Sequence, residues 1–375
     1  MGEVFLYKQG IQVPVEQQYS QKLPGLIRFI RISDIVSSNE PPRFINYHGT
    51  NLIKPDDLFM VRYGNPGMIS MGYSGVIANN LFRLIPKKNI YTLFFYFLLI
   101  FENKRLNLLG SNTTMPALSF KALDTFYVNF PEKLSEQKVI GSLLKKLDSL
   151  ITLQQRKLEL LKEIKKGLLQ KMFADKSKFP ILRFEGFHDE WEQCKLGELY
   201  SYHNGKAHEQ NQRSSGKYEL INLNSISVDG TLKSSGRYIN HADEILRQND
   251  LVMILSDIAH GTLLGRVAII PQDNKYVLNQ RVALLRPISK SENSNFMAPL
   301  INNNQRYFHK MGIGTSQLNI SKSTVIESLW QIPKIKEQSV IGNFLQNIDH
   351  IIALQHQRLS KLDEIKKSLL QQMFI

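Results

Sequence analysis

Few side chains in this 375-residue sequence are spaced for bond-making chemistry, whereas many are suited to gripping bases and phosphates. No Gly-x-x-x-x-Gly-Lys-Ser/Thr loop is present to cradle a triphosphate, and His208-Glu209 lacks the second histidine four residues on that a zinc site of that kind needs. Asn65-Pro66 runs into Gly67-Met68 without the aromatic residue of an amino-methyltransferase motif, so it reads as a turn. The nine histidines are scattered, with no carboxylate or cysteine at ligand spacing, which predicts no metal and no catalytic site. Pro271-Gln272-Asp273-Asn274-Lys275 has a faint nuclease pattern, but nothing completes a metal site and a hairpin turn is the simpler reading. The single cysteine, Cys194, allows no intramolecular disulfide, reads as a small packing residue and fits a reducing cytoplasm.

The polar side chains beside strand ends are a different matter. Arg and Lys can donate to guanine, Asn and Gln to adenine, and Ser or Thr to phosphates or base edges. In the second half the candidates are His203, Lys206, Asn222, Asn224, Arg237, Ser256, His260, Arg266, Asn279, Gln280, Arg281, Thr315, Ser316, Gln317 and Lys322. In the first they are Lys8, Arg31, Arg43, Arg62, Tyr63, Asn79, Asn80, Arg83, Asn112, Thr113 and Thr114. For any one of these, taken singly, a solvated surface residue is the simpler reading. The clusters after Gly110 and Gly314 stand out because they recur at matching places, although a plain helix-to-strand connector would look the same. The net charge of +14 and pI near 9.6 favour a polyanionic partner, since clustered cations gain free energy by displacing counterions from nucleic acid; a ribosomal or membrane surface would give the same balance.

The elements that must position these groups are duplicated. Glu136–Phe173 and Glu337–Phe374 align without a gap at an offset of 201, with 21 identities in 38 positions. Both open on Glu-Gln-x-Val-Ile-Gly and close on Glu-Ile-Lys-Lys-x-Leu-Leu-Gln-x-Met-Phe. Apolar residues recur at three- and four-residue steps, the pattern of a coiled-coil seam: Leu147, Ile151, Gln154, Leu158 and Leu161 in one, Ile348, Ile352, Gln355, Leu359 and Leu362 in the other. The seams are interrupted at Gln154 with Gln355 and at Lys165 with Lys366, and shared polar breaks of this kind fix register. Two amphipathic helices, each capping its own domain, would also fit, but only pairing explains a length of about 57 Å. Lys165-Lys166 and Lys366-Lys367 read as a solvated face, not as a site.

The duplication extends beyond the helices, since Gly2–Gly10 matches Gly197–Gly205 with both glycines and a tyrosine in step. Between these anchors each half predicts strands at Ile27–Ile35 or Tyr218–Ile226, at Leu58–Val61 or Leu251–Ile254, and at Gly75–Leu84 or Gly265–Ile270 and Arg281–Arg286. A helix follows, Tyr91–Leu109 or Met297–Met311. Ser135 is the expected N-cap of the first long helix, and Lys336 at the same place cannot cap. No secretory signal opens the sequence, and the most apolar run, Tyr91–Phe101, is too short for the roughly 20 residues of a membrane span. The lead-in Phe184–Glu192 of the second half has no counterpart before Gly2, so the first half is expected to be the less regular one.

Two divergent domains, each followed by a proline (Pro131, Pro333) and this helix pattern, resemble the DNA-specificity subunit of type I restriction-modification systems. Phe-x-Gly-Phe-x-x-x-Trp-Glu at Phe184–Glu192 and Lys-Leu-Gly-Glu from Lys195 are similar to that family as well. The resemblance implies an α+β fold with two pseudo-symmetric target recognition domains, separated by two long conserved helices that pair as an antiparallel coiled coil. It divides the chain into a first recognition domain at 1–133 with a shortened start, a first conserved helix at 134–174, a linker at 175–183, a second recognition domain at 184–335 and a second conserved helix at 336–375. It further implies a non-catalytic, cytoplasmic, membrane-free protein that reads a split asymmetric sequence in double-stranded DNA. Two modification (methyltransferase) subunits and two restriction (translocase/nuclease) subunits would dock on it, and they would use the S-adenosylmethionine, ATP and magnesium. The alternative from another class is a coiled-coil interaction scaffold, or an inactive specificity allele. A fused type II enzyme would carry a methyltransferase motif that the sequence lacks.

Overall fold

The computed structural model describes residues 1–36, 40–110, 116–174, 177–208, 210–242, 244–258, 261–289 and 292–374. The chain forms two compact units, Met1–Arg156 with Gln357–Ile375 and Lys157–His356. Each unit therefore owns the start of one long helix and the end of the other.

In the first unit, strands β1 (Phe5–Gln9), β2 (Leu26–Ile30), β3 (Arg43–Asn46), β4 (Leu58–Val61), β5 (Ile69–Ser70), β6 (Val76–Ile77) and β7 (Leu81–Pro86) build two sheets. One is antiparallel in the order β1-β7-β4-β5; the other has the order β3-β2-β6, with β2 and β6 parallel. Every residue of β4 is buried, because side chains alternate between two cores. Leu58 and Met60 face a core shared with the apolar helix Thr92–Phe101, whereas Phe59 and Val61 face Ile30, Ile77 and Leu81. Met1 is buried as well, and its ammonium donates to the carbonyl of Phe126 at 2.6 Å.

The second unit repeats this plan with β8 (Glu192–Lys195), β9 (Tyr200–Asn204), β10 (Tyr218–Ile221), β11 (Tyr238–Ile239), β12 (Leu251–Ile254), β13 (Ser256–Ile258), β14 (Val267–Ile269), β15 (Tyr276–Leu278), β16 (Val282–Pro287), β17 (Gln317–Asn319) and β18 (Leu329–Ile332). Its main sheet runs β14-β12-β16-β9, and a smaller one runs β11-β10-β15 with β10 and β15 parallel. Strand β12 is again buried on both faces, Leu251 and Met253 toward one core and Val252 and Ile254 toward another. Two ribbons are added, β13 with β17 and β8 with β18. The lead-in is absorbed into the core: Trp191 packs edge-on against Phe296, and Phe184 against Phe344. Leu196 N donates to the Ser328 carbonyl at 3.0 Å, the counterpart of the bond from Met1 to Phe126.

Several expected elements end early, each for a local reason. The strand expected at Ile27–Ile35 stops at Ile30, because the Asp34 carboxylate accepts from Arg31 N at 2.9 Å and from Arg28 Nη2 at 2.7 Å and draws Ile32–Ile35 into a helical turn. The strand expected at Tyr218–Ile226 stops at Ile221, where Asn222 Oδ1 accepts from Asn224 N and Ser225 Oγ accepts from Asn222 N. The helix expected at Tyr91–Leu109 breaks at Glu102 and continues as Asn103–Asn107, and that expected at Met297–Met311 forms Ser294–Asn303 and Gln305–Met311. No helix among the described residues is long and apolar enough to cross a membrane.

The long helices span Leu134–Met172 and Ile335–Met373. The first begins one residue before Ser135, which is therefore not its N-cap; the carbonyl of Lys133 instead accepts from the amides of Glu136 and Gln137. The glutamine of the Glu-Gln pair is a buried clamp. Gln137 Oε1 accepts from Tyr91 N at 2.9 Å and its Nε2 donates to the Pro131 carbonyl at 2.8 Å; Gln338 binds Asn293 N and the Pro333 carbonyl in the same way, both at 2.9 Å. Gly141 and Gly342 then lie against the start of the apolar helix, where an added Cβ would come within 3.0 Å of Phe94 N or Phe296 N.

Within each unit the two helix segments run antiparallel. In the first, Asp148 pairs with Lys366 at 2.6 Å, while Phe374 lies edge-on to Phe94 beside the opening turns of Leu134–Met172. In the second, Lys165 pairs with Asp349 at 2.5 Å and Phe173 packs on Phe296. The seam residues Ile151, Leu158 and Gln355 are buried, and Leu147, Gln154, Leu161, Ile348, Ile352, Leu359 and Leu362 are half-buried. The lysine breaks in the seam are thus two equivalent cross-helix ion pairs.

Candidate nucleic-acid interface

One end of each main sheet gathers the polar candidates. In the second unit this end is formed by the finish of β9 and β12 and the start of β14 and β16. Asn222, Asn224, Asn279, Gln280 and Arg281 line a cleft of about 290 Å³ there. Lys206 joins them through a parallel bridge to Asn279. The chain can pass this closely only because position 205 is glycine, since a Cβ there would lie 2.0 Å from the Asn279 carbonyl oxygen. Arg281 holds a left-handed backbone at φ 66°, and its carbonyl accepts from Leu255 N at 2.9 Å, which presents the loop at the rim.

The remaining candidates of this unit divide by accessibility. Ser256 is buried, and its hydroxyl accepts from Gln317 Nε2 across the β13–β17 ribbon, so Gln317 is oriented by it. Thr315 and Ser316 are exposed at the turn that enters β17. His203 is set back along β9, with Nδ1 3.8 Å from Glu244. Arg266 turns away from the loops: Nη1 donates to the Asn302 carbonyl at 3.0 Å, and burial lowers its pKa, with Asp229 partly opposing the shift. Lys322 sits over the ring of Tyr202, whose hydroxyl donates to Asn204 Oδ1 at 2.6 Å. Burial also pushes the Tyr202 phenol up to about 12, so it stays protonated and able to donate. Arg237 is exposed beside β11.

In the first unit the same sheet end holds Arg62, Tyr63, Asn79 and Asn80. Arg62 Nη1 donates to Gln9 Oε1 at 2.5 Å, and Gln9 Nε2 donates to the Asn79 carbonyl at 2.7 Å. The guanidinium lies 5.0 Å from the Tyr63 ring centre and 4.9 Å from that of Phe120, a stacked and oriented cation. Lys8 is exposed on β1 opposite Arg83, which is itself tied to Asp57 at 2.7 Å. Arg31 is consumed by Asp34, Glu40 and the Pro41 carbonyl, and Arg43 lies half-buried on β3. Asn112, Thr113, Thr114 and His260 lie outside the described residues.

Gln9 is a member of this group that sequence reasoning passed over, because it sits inside a strand. A signal existed: it aligns with Asn204, and in both halves an amide side chain precedes the glycine of the close approach. Among the described residues no group of three or more His, Cys, Asp or Glu side chains could hold a metal ion. What the two rims offer is hydrogen-bonding amides and guanidinium groups on the same scaffold, with different side chains in each unit.

Comparison with known proteins agrees with this arrangement. A family model described as the type I restriction modification DNA specificity domain matches residues 2–163 and 188–364. The type I restriction enzyme MjaVIII specificity subunit of Methanocaldococcus jannaschii is 22% identical over 335 residues, covering 85% of this chain and 78% of its own. The crystal structure of a type I restriction-modification S subunit from M. genitalium superposes with a TM-score of 0.68 at 15% identity, covering 99% of this chain and 94% of that one. A chain from a structure of type I restriction-modification complex assembly and conformational transition gives 0.55 at 14% identity, with 99% and 97% covered. With both halves matched by the model and the whole fold shared, this chain belongs to the type I restriction-modification DNA specificity family.

Proposed function

We propose that this chain is the non-catalytic subunit that reads a bipartite, asymmetric sequence in double-stranded DNA, one half-site per unit, and brings methyltransferase and restriction subunits to it. The observation that carries this reading is the repetition of one sheet-end rim with two different sets of readers, Arg62 (held by Gln9), Asn79 and Asn80 in one and Asn222, Asn279, Gln280 and Arg281 in the other. Identical readers would demand a symmetric target, and unlike ones fit an asymmetric target.

The docking of other subunits is supported by a second apolar stripe on the long helices. Val139, Leu150, Leu153 and Ile164 are exposed on the first, and their counterparts Val340, Ile351, Leu354 and Ile365 on the second. Their spacing is that of a further helix-packing seam, offered once per helix, which suits two like partners. The methyl donor, the ATP and the magnesium then belong to those partners.

Mobility shifts at several salt concentrations, with and without a modification subunit, test the reading. Sequence-selective binding that weakens steeply with salt is expected. Absence of selective binding even in the full complex would reduce the chain to an interaction scaffold.

A further inference from the structure

A cleft of about 630 Å³ in the second unit lies between Arg266, helix Ser294–Asn303 and the long-helix residues Lys162, Lys165 and Lys166. Its acids are already occupied. Asp349 is taken by Lys165, and the Asp229 carboxylate is turned into its own loop by Ser227 Oγ and by Thr231 N. Lys162 and Lys166 are exposed, and Lys233 extends the same side beyond Arg266. Arg266 meets only backbone carbonyls, with no carboxylate within ion-pair distance among the described residues. The cleft therefore carries surplus positive charge.

Its place in the sheet is equally telling. The Ile254 amide donates to the Arg266 carbonyl and the next amide, Leu255, to the Arg281 carbonyl, so the two arginines flank the end of one strand. Two strand spacings put their backbones about 10 Å apart. That is close to the roughly 12 Å width of a major groove.

We infer that Arg266, Lys162 and Lys166 grip the phosphodiester backbone beside the base-reading loops of the second unit, seating the duplex without reading its sequence. The inference rests on the proposed function and goes beyond it, because it assigns a backbone contact to the long helix and takes Arg266 out of the set of base readers.

The test uses the complex with a modification subunit and a duplex carrying the mapped target. Each released phosphate contact lowers the magnitude of the slope of log K against log salt by about 0.9. K162Q with K166Q, on an exposed helix face, should flatten the slope by about 2, and adding R266Q should flatten it by about one more. The methylated sequence should stay the same, and R266K should keep most of the slope. An unchanged slope overturns the inference, as does an altered sequence preference. Loss of the modification subunit from the variants with an unchanged slope would assign the cleft to an acidic protein segment instead. A wild-type complex without selective binding sinks the proposed function itself, whereas a selective wild type with indifferent variants sinks only this inference.

Discussion

At the scale of single residues, recognition depends on side chains that are both exposed and oriented, and these two demands were not equally visible in the sequence. The amides and Arg281 around Gly205 could be read as a group because they border predicted strand ends. Gln9 could not, since its part is to hold Arg62 in place from within a strand. Replacing Gln9 with alanine should free Arg62 and relax discrimination at one position of one half-site, by about 1–3 kcal/mol if that guanidinium makes a bidentate base contact. Gln9→Glu, which keeps the acceptor for Arg62 but sets a carboxylate oxygen against the Asn79 carbonyl, should restore only part of it. Mapping methylated or selected sequences provides the measurement, and a change in the other half-site would refute the assignment. Arg31 shows the opposite case. Its acidic neighbours Asp34 and Glu40 were in plain view, yet ion pairing within one loop is fixed by backbone turns that residue identity does not disclose.

Among the elements, the long helices were the most legible, because a repeat of period 3.5 over 39 residues admits little else. The sense of the Glu-Gln pair was not legible, since its glutamine serves a bond between two elements that are distant in sequence. Gln137→Leu removes both partners' bonds from a buried site and should cost about 1–3 kcal/mol, read by denaturant melts of the purified chain. The seam ion pairs are partly exposed, so each should contribute only about 0.2–1 kcal/mol. Their larger effect is on register: reversing Asp148 to lysine should lower stability, and reversing Lys366 to aspartate as well should restore it. A double variant no better than the single one would show that the pair is incidental. Inserting one heptad in each long helix adds about 10.5 Å, roughly three base pairs of DNA, and should lengthen the tolerated gap between half-sites by that amount in a methylation map. An unchanged gap would show that helix length does not set the spacing of the half-sites.

For the molecule as a whole, the duplication foretold two units of one topology, and the main and smaller sheets bear this out strand by strand, down to the parallel pair in each smaller sheet, while among the described residues the two ribbons are particular to the second unit. Modularity follows: exchanging Gly197–Pro333 for the same segment of a relative should transfer one half of the specificity, and a chimera that keeps the original target would contradict it. The division of each unit between early and late sequence was hidden, because it comes from the antiparallel pairing. Residues Met1–Arg156 wait for Gln357–Ile375 to complete their core, and Phe374 fills the place beside Phe94 and Phe101. During synthesis the first unit must therefore remain open, with an aromatic patch uncovered, until Gln357–Ile375 has followed Lys157–His356 out of the ribosome. A nonsense change at Met373, which removes Met373, Phe374 and Ile375, would thus be felt in the part of the protein made earliest, as slower folding and greater dependence on chaperones.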